Sequence, residues 1–84
     1  MNQVVEVRIP EDLWKPEEAP QGVRVIWLRE EGARVERGET IAELAVEKVQ
    51  YEIEAPAGGR LRRLLPEEEA ARPGAVIAAI EKGA

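Results

Sequence analysis

The stretch Leu44-Ala45-Val46-Glu47-Lys48-Val49-Gln50-Tyr51-Glu52-Ile53 decides how this chain reads. Apolar and polar side chains alternate on both sides of Glu47-Lys48, with Leu44 and Val46 before the pair and Val49, Tyr51 and Ile53 after it. Period-two alternation marks a strand with one buried face. Two such runs meeting at a short polar pair predict a β-hairpin with Lys48 at its tip. Two-residue hairpin turns favour Asn-Gly or Asp-Gly, whose central residues tolerate positive φ. Glu47-Lys48 offers no such advantage, so something other than turn stability selects the lysine. Only three lysines occur against nine arginines, and Lys15 and Lys82 fall in a loop and near the C-terminal end. Lys48 stands apart.

A chain of 84 residues reads as one domain over residues 1–84, with room for one modest core. A domain of that size buries roughly 60% of its unfolded surface, which leaves no space for a deep substrate cavity. Cysteine, histidine and serine are all absent, and Thr40 is the only aliphatic hydroxyl. Disulfides, thiolate or imidazole metal centres and nucleophilic triads are thereby excluded. Any catalytic role must draw its chemistry from a cofactor or a partner. The expectation is a protein that is not itself an enzyme.

The net charge of −5 argues against nucleic acid as a partner, because that affinity needs a cationic face. Arg60, Arg62 and Arg63 form the one basic cluster, and acidic stretches flank it; it reads as a solvated strand face. No apolar run approaches the ~20 residues that span a bilayer, and the N-terminus lacks a signal-peptide pattern. A soluble, cytoplasmic protein without a membrane partner is expected.

Taken in order, Val5, Val7 and Ile9 alternate with Glu6 and Arg8, which predicts a first strand ending at Pro10. Residues 10–21 carry Pro10, Pro16 and Pro20 and read as a surface loop, with Leu13 and Trp14 tucking it onto the body. A second strand runs from Val23 to Leu28, with Val23, Val25 and Trp27 on one face. Turns follow at Gly32 and at Gly38-Glu39, and Ile41 to Val46 leads to Lys48. The return strand from Val49 ends near Ala55, where Pro56 and Gly58-Gly59 break it. Leu61 and Leu64 lie on the next strand. Pro66 suits a first helical position, so Glu67 to Arg72 is expected to form a helical turn. Val76, Ile77 and Ile80 fit a helix or a strand equally well.

An internal repeat settles that last segment. A shift of 36 residues, the separation of Gly22 and Gly58, also matches Arg24 to Arg60, Glu31 to Glu67 and Gly38 to Gly74. Ile41 meets Ile77, Ala42 meets Ala78, Val25 meets Leu61 and Leu44 meets Ile80. Two quasi-equivalent halves of short antiparallel strands would pack face to face as a flattened all-β barrel or sandwich. The symmetry partner of the Lys48 hairpin then lies near Lys82 to Ala84. That layout puts the hairpin tip and the termini at opposite ends.

This order of elements resembles the lipoyl domain of the biotinyl/lipoyl carrier family, of the 2-oxo acid dehydrogenase type. The resemblance is carried by Val25-Ile26-Trp27-Leu28-Arg29-Glu30-Glu31-Gly32, Val35-Glu36-Arg37-Gly38-Glu39 and Ile41-Ala42-Glu43-Leu44. Glu47-Lys48-Val49 and Glu52-Ile53-Glu54-Ala55-Pro56-Ala57-Gly58-Gly59 complete it. It covers nearly all of Val4 to Glu81. Two departures stand out: Glu47 occupies the usual Asp position, and Glu67-Glu68-Glu69-Ala70 replaces a Glu-Gly-Asp turn.

The resemblance implies that Lys48 carries lipoic acid in amide linkage, with Glu47 and Val49 as flanking recognition residues. Biotin is the rival cofactor, but biotin carriers look like Ala-Met-Lys-Met around the lysine, whereas this chain has Val46-Glu47-Lys48-Val49. The implied role is a swinging-arm shuttle between active sites of a 2-oxo acid dehydrogenase-type complex. Its partners would be a lipoate-attaching enzyme and the 2-oxo acid decarboxylase, acyltransferase and dihydrolipoyl dehydrogenase components. Glu43, Glu47, Glu52 and Glu54 are candidates for reading by those partners. The alternatives are a biotin carboxyl carrier domain and an unmodified lipoyl-like structural or interaction domain.

Overall fold

In Thr40–Val46 the side chains of Ile41, Ala42, Leu44 and Val46 are buried while Ala45 faces solvent. Adjacent Ile41 and Ala42 both point inward because the ladder to the next strand slips between Thr40 and Ala42. An extra residue at such a bulge lets two neighbours reach the same side. The segment 76–82 repeats this arrangement, with Ile77, Ala78 and Ile80 buried and a slip opposite Val7 and Arg8.

The computed structural model describes residues 3–15, 17–20, 22–46, 48–66 and 69–82. Its strands are β1 (Gln3–Arg8), β2 (Val23–Trp27), β3 (Arg34–Val35), β4 (Thr40–Val46), β5 (Val49–Glu54), β6 (Gly59–Arg63), β7 (Ala70–Ala71) and β8 (Val76–Lys82). They form two four-stranded antiparallel sheets, ordered β1-β8-β6-β3 and β5-β4-β2-β7. The expected all-β sandwich of two quasi-symmetric halves is the observed fold.

The repeat holds residue by residue. Moving β2, β3 and β4 forward by 36 positions lands on the bounds of β6, β7 and β8. β1 and β5 are equivalent too, since Val5 pairs with Ile80 as Tyr51 pairs with Leu44. The two halves exchange their short strands. β3 follows β2 in sequence but pairs with β6 in the other sheet, and β7 follows β6 but pairs with β2. This exchange ties the sheets together around Val7, Ile9, Val25, Val35, Ile41, Leu44, Ile53, Leu61, Ile77 and Ile80.

Two expectations are corrected by packing. The helical turn over Glu67 to Arg72 is not what forms: Ala70–Ala71 is β7, paired with Val23 and Arg24. Local helix preference is weak, and a buried Ala71 in a strand pair outweighs it. Glu67 and Glu68 themselves lie outside the described residues. Val76–Lys82 is a strand, as the repeat requires. Leu64 follows the end of β6 and is 56% exposed, so only Leu61 of that pair enters the core. Trp14 is buried, and its loop closes the core at one end, as expected of residues 10–21.

Glu39 sets the start of β4. Its carboxylate accepts from the Glu36 amide at 3.0 Å and from the Arg29 guanidinium, and both hold its pKa below the ordinary carboxylate value, the amide bond most. A folded-state pKa below the unfolded one adds stability that is present above the unfolded value and lost as pH falls through the folded one. Glu39→Gln should therefore lose less thermal stability than the parent between pH 7 and pH 3. Thermal melts across that range check it, and parallel curves would refute the assignment.

Candidate functional site

β4 and β5 pair from Thr40–Glu54 to Val46–Val49, so a two-residue connection containing Lys48 closes the hairpin. Val46 is buried at the end of β4 and pins the hairpin to the core, whereas Val49 is half exposed. Lys48 is exposed, and among the described residues it forms no ion pair. Glu47 lies outside the described residues.

The structure separates this tip from the chain ends. β4 runs away from the tip to Thr40, close in sequence to β3, and Val35 of β3 pairs with Gly59. The neighbour Arg60 pairs with Glu81, and Lys82 in turn pairs with Gln3. Gln3 and Lys82, the outermost described residues, therefore lie together at the pole opposite Lys48.

The acidic candidates divide. Glu43 and Glu52 stand directly across from each other on β4 and β5, so both lie on one outer face beside the tip. Like charges so placed cost stability, which an isolated strand pair would not select. Glu54 pairs with Thr40 at the far end of the hairpin and is not part of that group.

One support was not evident from the sequence. The Tyr51 hydroxyl donates to the Leu13 carbonyl at 3.3 Å, tying the 10–21 loop to β5 next to the tip. Tyr51 shows in the sequence only as an apolar position in the alternation, and its reach to a residue 38 positions away carries no local signal. The chemistry available here is that of one exposed primary amine between the paired ends of β4 and β5. Acylating it leaves no ion-pair partner behind among the described residues, so an amide-linked group fits.

The biotin/lipoyl family model, described as "biotin-requiring enzyme", matches residues 16–80. The chain belongs to this family. Its members take a biotin- or lipoyl-type group in covalent linkage, and the two-sheet fold agrees with that membership.

The chain is 32% identical over 82 residues to the dihydrolipoyllysine-residue succinyltransferase component of the 2-oxoglutarate dehydrogenase complex of Bacillus subtilis (strain 168), covering 96% of this chain and 19% of that protein. The corresponding component of Staphylococcus saprophyticus is 34% identical over 79 residues, 93% of this chain and 18% of that protein. The dihydrolipoyllysine-residue acetyltransferase component of the acetoin cleaving system of Bacillus subtilis is 43% identical over 58 residues, 68% of this chain and 15% of that protein. The chain thus spans less than a fifth of the length of these relatives. No solved structure matches it significantly.

Proposed function

We propose that this chain is a lipoyl carrier domain whose Lys48 bears lipoate in amide linkage. The observation that carries the reading is Lys48 itself, exposed and without an ion pair among the described residues, at the tip of the β4–β5 hairpin of a biotin/lipoyl family member. Lipoate rather than biotin is supported by the relatives, which are dihydrolipoyllysine-residue acyltransferase components, and by Glu47 and Val49, where biotin carriers have methionines.

When bound, lipoate supplies a dithiolane that accepts acyl groups and electrons. The residues of this chain do the rest. Val46 holds the end of β4 in the core, and the β4–β5 ladder fixes the direction in which the Lys48 stem leaves the body. Because the stem is tethered, the group it carries meets successive active sites at high effective concentration. Glu47 and Val49 flank the amine for the attaching enzyme, and Glu43 and Glu52 offer negative charge beside it for steering cationic partner surfaces. Residues 1–84 act as one non-catalytic unit in the cytoplasm, served by a lipoate-attaching enzyme. Its working partners are the decarboxylase, acyltransferase and dihydrolipoyl dehydrogenase components of a 2-oxo acid dehydrogenase-type complex.

Intact mass of the protein isolated from its native host, with peptide mapping, tests the proposal. A lipoyl-sized increment on the Lys48 peptide is expected. A biotin-sized increment would keep the attachment site and transfer the role to carboxyl transport. An unmodified Lys48 would overturn the carrier reading.

A further inference from the structure

Most arginines of this chain already have partners. Arg8 pairs with Glu6, Arg29 with Glu39, and Arg62 with both Glu31 and Glu81. Arg72 donates to the Pro20 carbonyl, and the Arg63 guanidinium lies 4.9 Å from the centroid of the Trp27 ring. Within the basic cluster at residues 60–63, Arg62 is thus ion-paired and Arg63 is packed on Trp27.

Arg24, Arg34 and Arg37 differ, and of these Arg34 and Arg37 lie close together on the β3 segment. Among the described residues neither makes an ion pair or a side-chain hydrogen bond, and both are exposed. Arg34 stands directly across from Arg60 in the β3–β6 pair. Opposed like charges in an antiparallel ladder lower stability. Arg60 answers by donating to the Gly32 carbonyl at 2.9 Å, not to a carboxylate. Arg34, Val35, Glu36, Arg37, Gly58 and Gly59 line an open depression of about 340 Å³, floored on one side by two residues without side chains. A chain of net charge −5 therefore keeps a hollow with two arginines against one glutamate, Glu36, and with Arg60 across from Arg34, at the pole opposite Lys48.

We propose that this hollow docks an extended acidic peptide segment of a partner protein, whose carboxylates pair with Arg34 and Arg37. Arginine suits that task, since its planar fork takes a carboxylate through two parallel hydrogen bonds. β3 is the outer strand of its sheet and only two residues long, which leaves an edge along which an extended segment can lie. The overall negative charge repels a long polyanion such as nucleic acid, whereas a short peptide places its charge at the hollow alone. Docking there leaves the Lys48 tip open to other proteins. The inference does not rest on Lys48 being modified.

The experiment is a nitrogen-15 NMR titration of the unmodified chain with hexaglutamate at low ionic strength. Shifts are expected at residues 34–37 and 58–60 and not at residues 46–50. The double variant R34A/R37A should bind about fivefold more weakly, as two exposed charge pairs warrant. K15A/R24A removes the same charge elsewhere and should bind within twofold of the parent. Equal weakening by both double variants, or shifts centred on another surface, would overturn the proposal. R34E supplies a second readout: by replacing the Arg34–Arg60 opposition with an ion pair it should raise Tm by roughly 1–4 °C while weakening hexaglutamate binding. A lower Tm or unchanged binding in R34E would count against it.

Discussion

A Lys48→Arg chain offered to a lipoate-attaching enzyme is expected to take up no lipoyl group, while folding as the parent does. Acyl transfer to the side chain needs a free amine that can lose a proton, and guanidinium stays protonated throughout the pH range of a folded protein. The size and charge of the side chain are otherwise kept. Lys48 is exposed and unpaired among the described residues, so the substitution should change stability by no more than about 0.5 kcal/mol. Mass spectrometry reads the first outcome and denaturant titration the second. A companion variant, Lys48→Val with Val49→Lys, keeps the amine but moves it from the tip to the first residue of β5. Successive strand residues face opposite sides, so one step redirects the stem and should lower the modification rate at least ~10-fold. Undiminished modification of either variant would show that the tip position is not what the enzyme reads.

Particular residues show how far the sequence could be read. The alternation around Lys48 located β4, β5 and the tip between them, because period two directly encodes a half-buried strand. The 36-residue repeat resolved β8, whose Val76, Ile77 and Ile80 are ambiguous taken alone, since the same spacing in β4 belongs to a strand. Local preference predicts a helical turn over Glu67 to Arg72, whereas Ala70–Ala71 is a strand. Its strand state depends on a two-residue pairing with β2, and two alanines carry no pattern of their own. The Tyr51 bond to Leu13 and the Arg34–Arg60 opposition leave no local pattern for the same reason: they are properties of register between distant segments. Composition made Arg60, Arg62 and Arg63 look like the basic feature of the chain. Packing pairs Arg62 with Glu31 and Glu81, sets Arg63 against Trp27, and leaves Arg34 and Arg37 exposed at the pole opposite Lys48.

Gly58 and Gly59, adjacent at the start of β6, should respond very differently to alanine. Gly59 has φ of +155°, and a Cβ placed there would press on the Glu81 carbonyl oxygen, with Glu81 C and Ile80 Cγ2 both at 2.9 Å. Two of those atoms belong to the backbone of β8, which is paired on both sides, with β1 and with β6. They cannot swing away as the end of a long side chain can. Gly59→Ala is therefore expected to cost about 3–5 kcal/mol, combining backbone strain with overpacking against Ile80. A domain of this size has roughly 4–12 kcal/mol to lose, so the variant should unfold at markedly lower denaturant. A Cβ on Gly58 meets nothing nearer than the Val35 carbonyl oxygen at 3.6 Å, an ordinary contact. Gly58→Ala should accordingly stay within about 1 kcal/mol of the parent. Urea titrations of both variants decide the matter, and equal midpoints would mean that β6 and β8 do not approach as closely as the Gly59 geometry requires. The contrast also separates fold from site: Gly59 lies at the pole away from Lys48, so Gly59→Ala protein kept cold enough to remain folded should still accept a lipoyl group at Lys48.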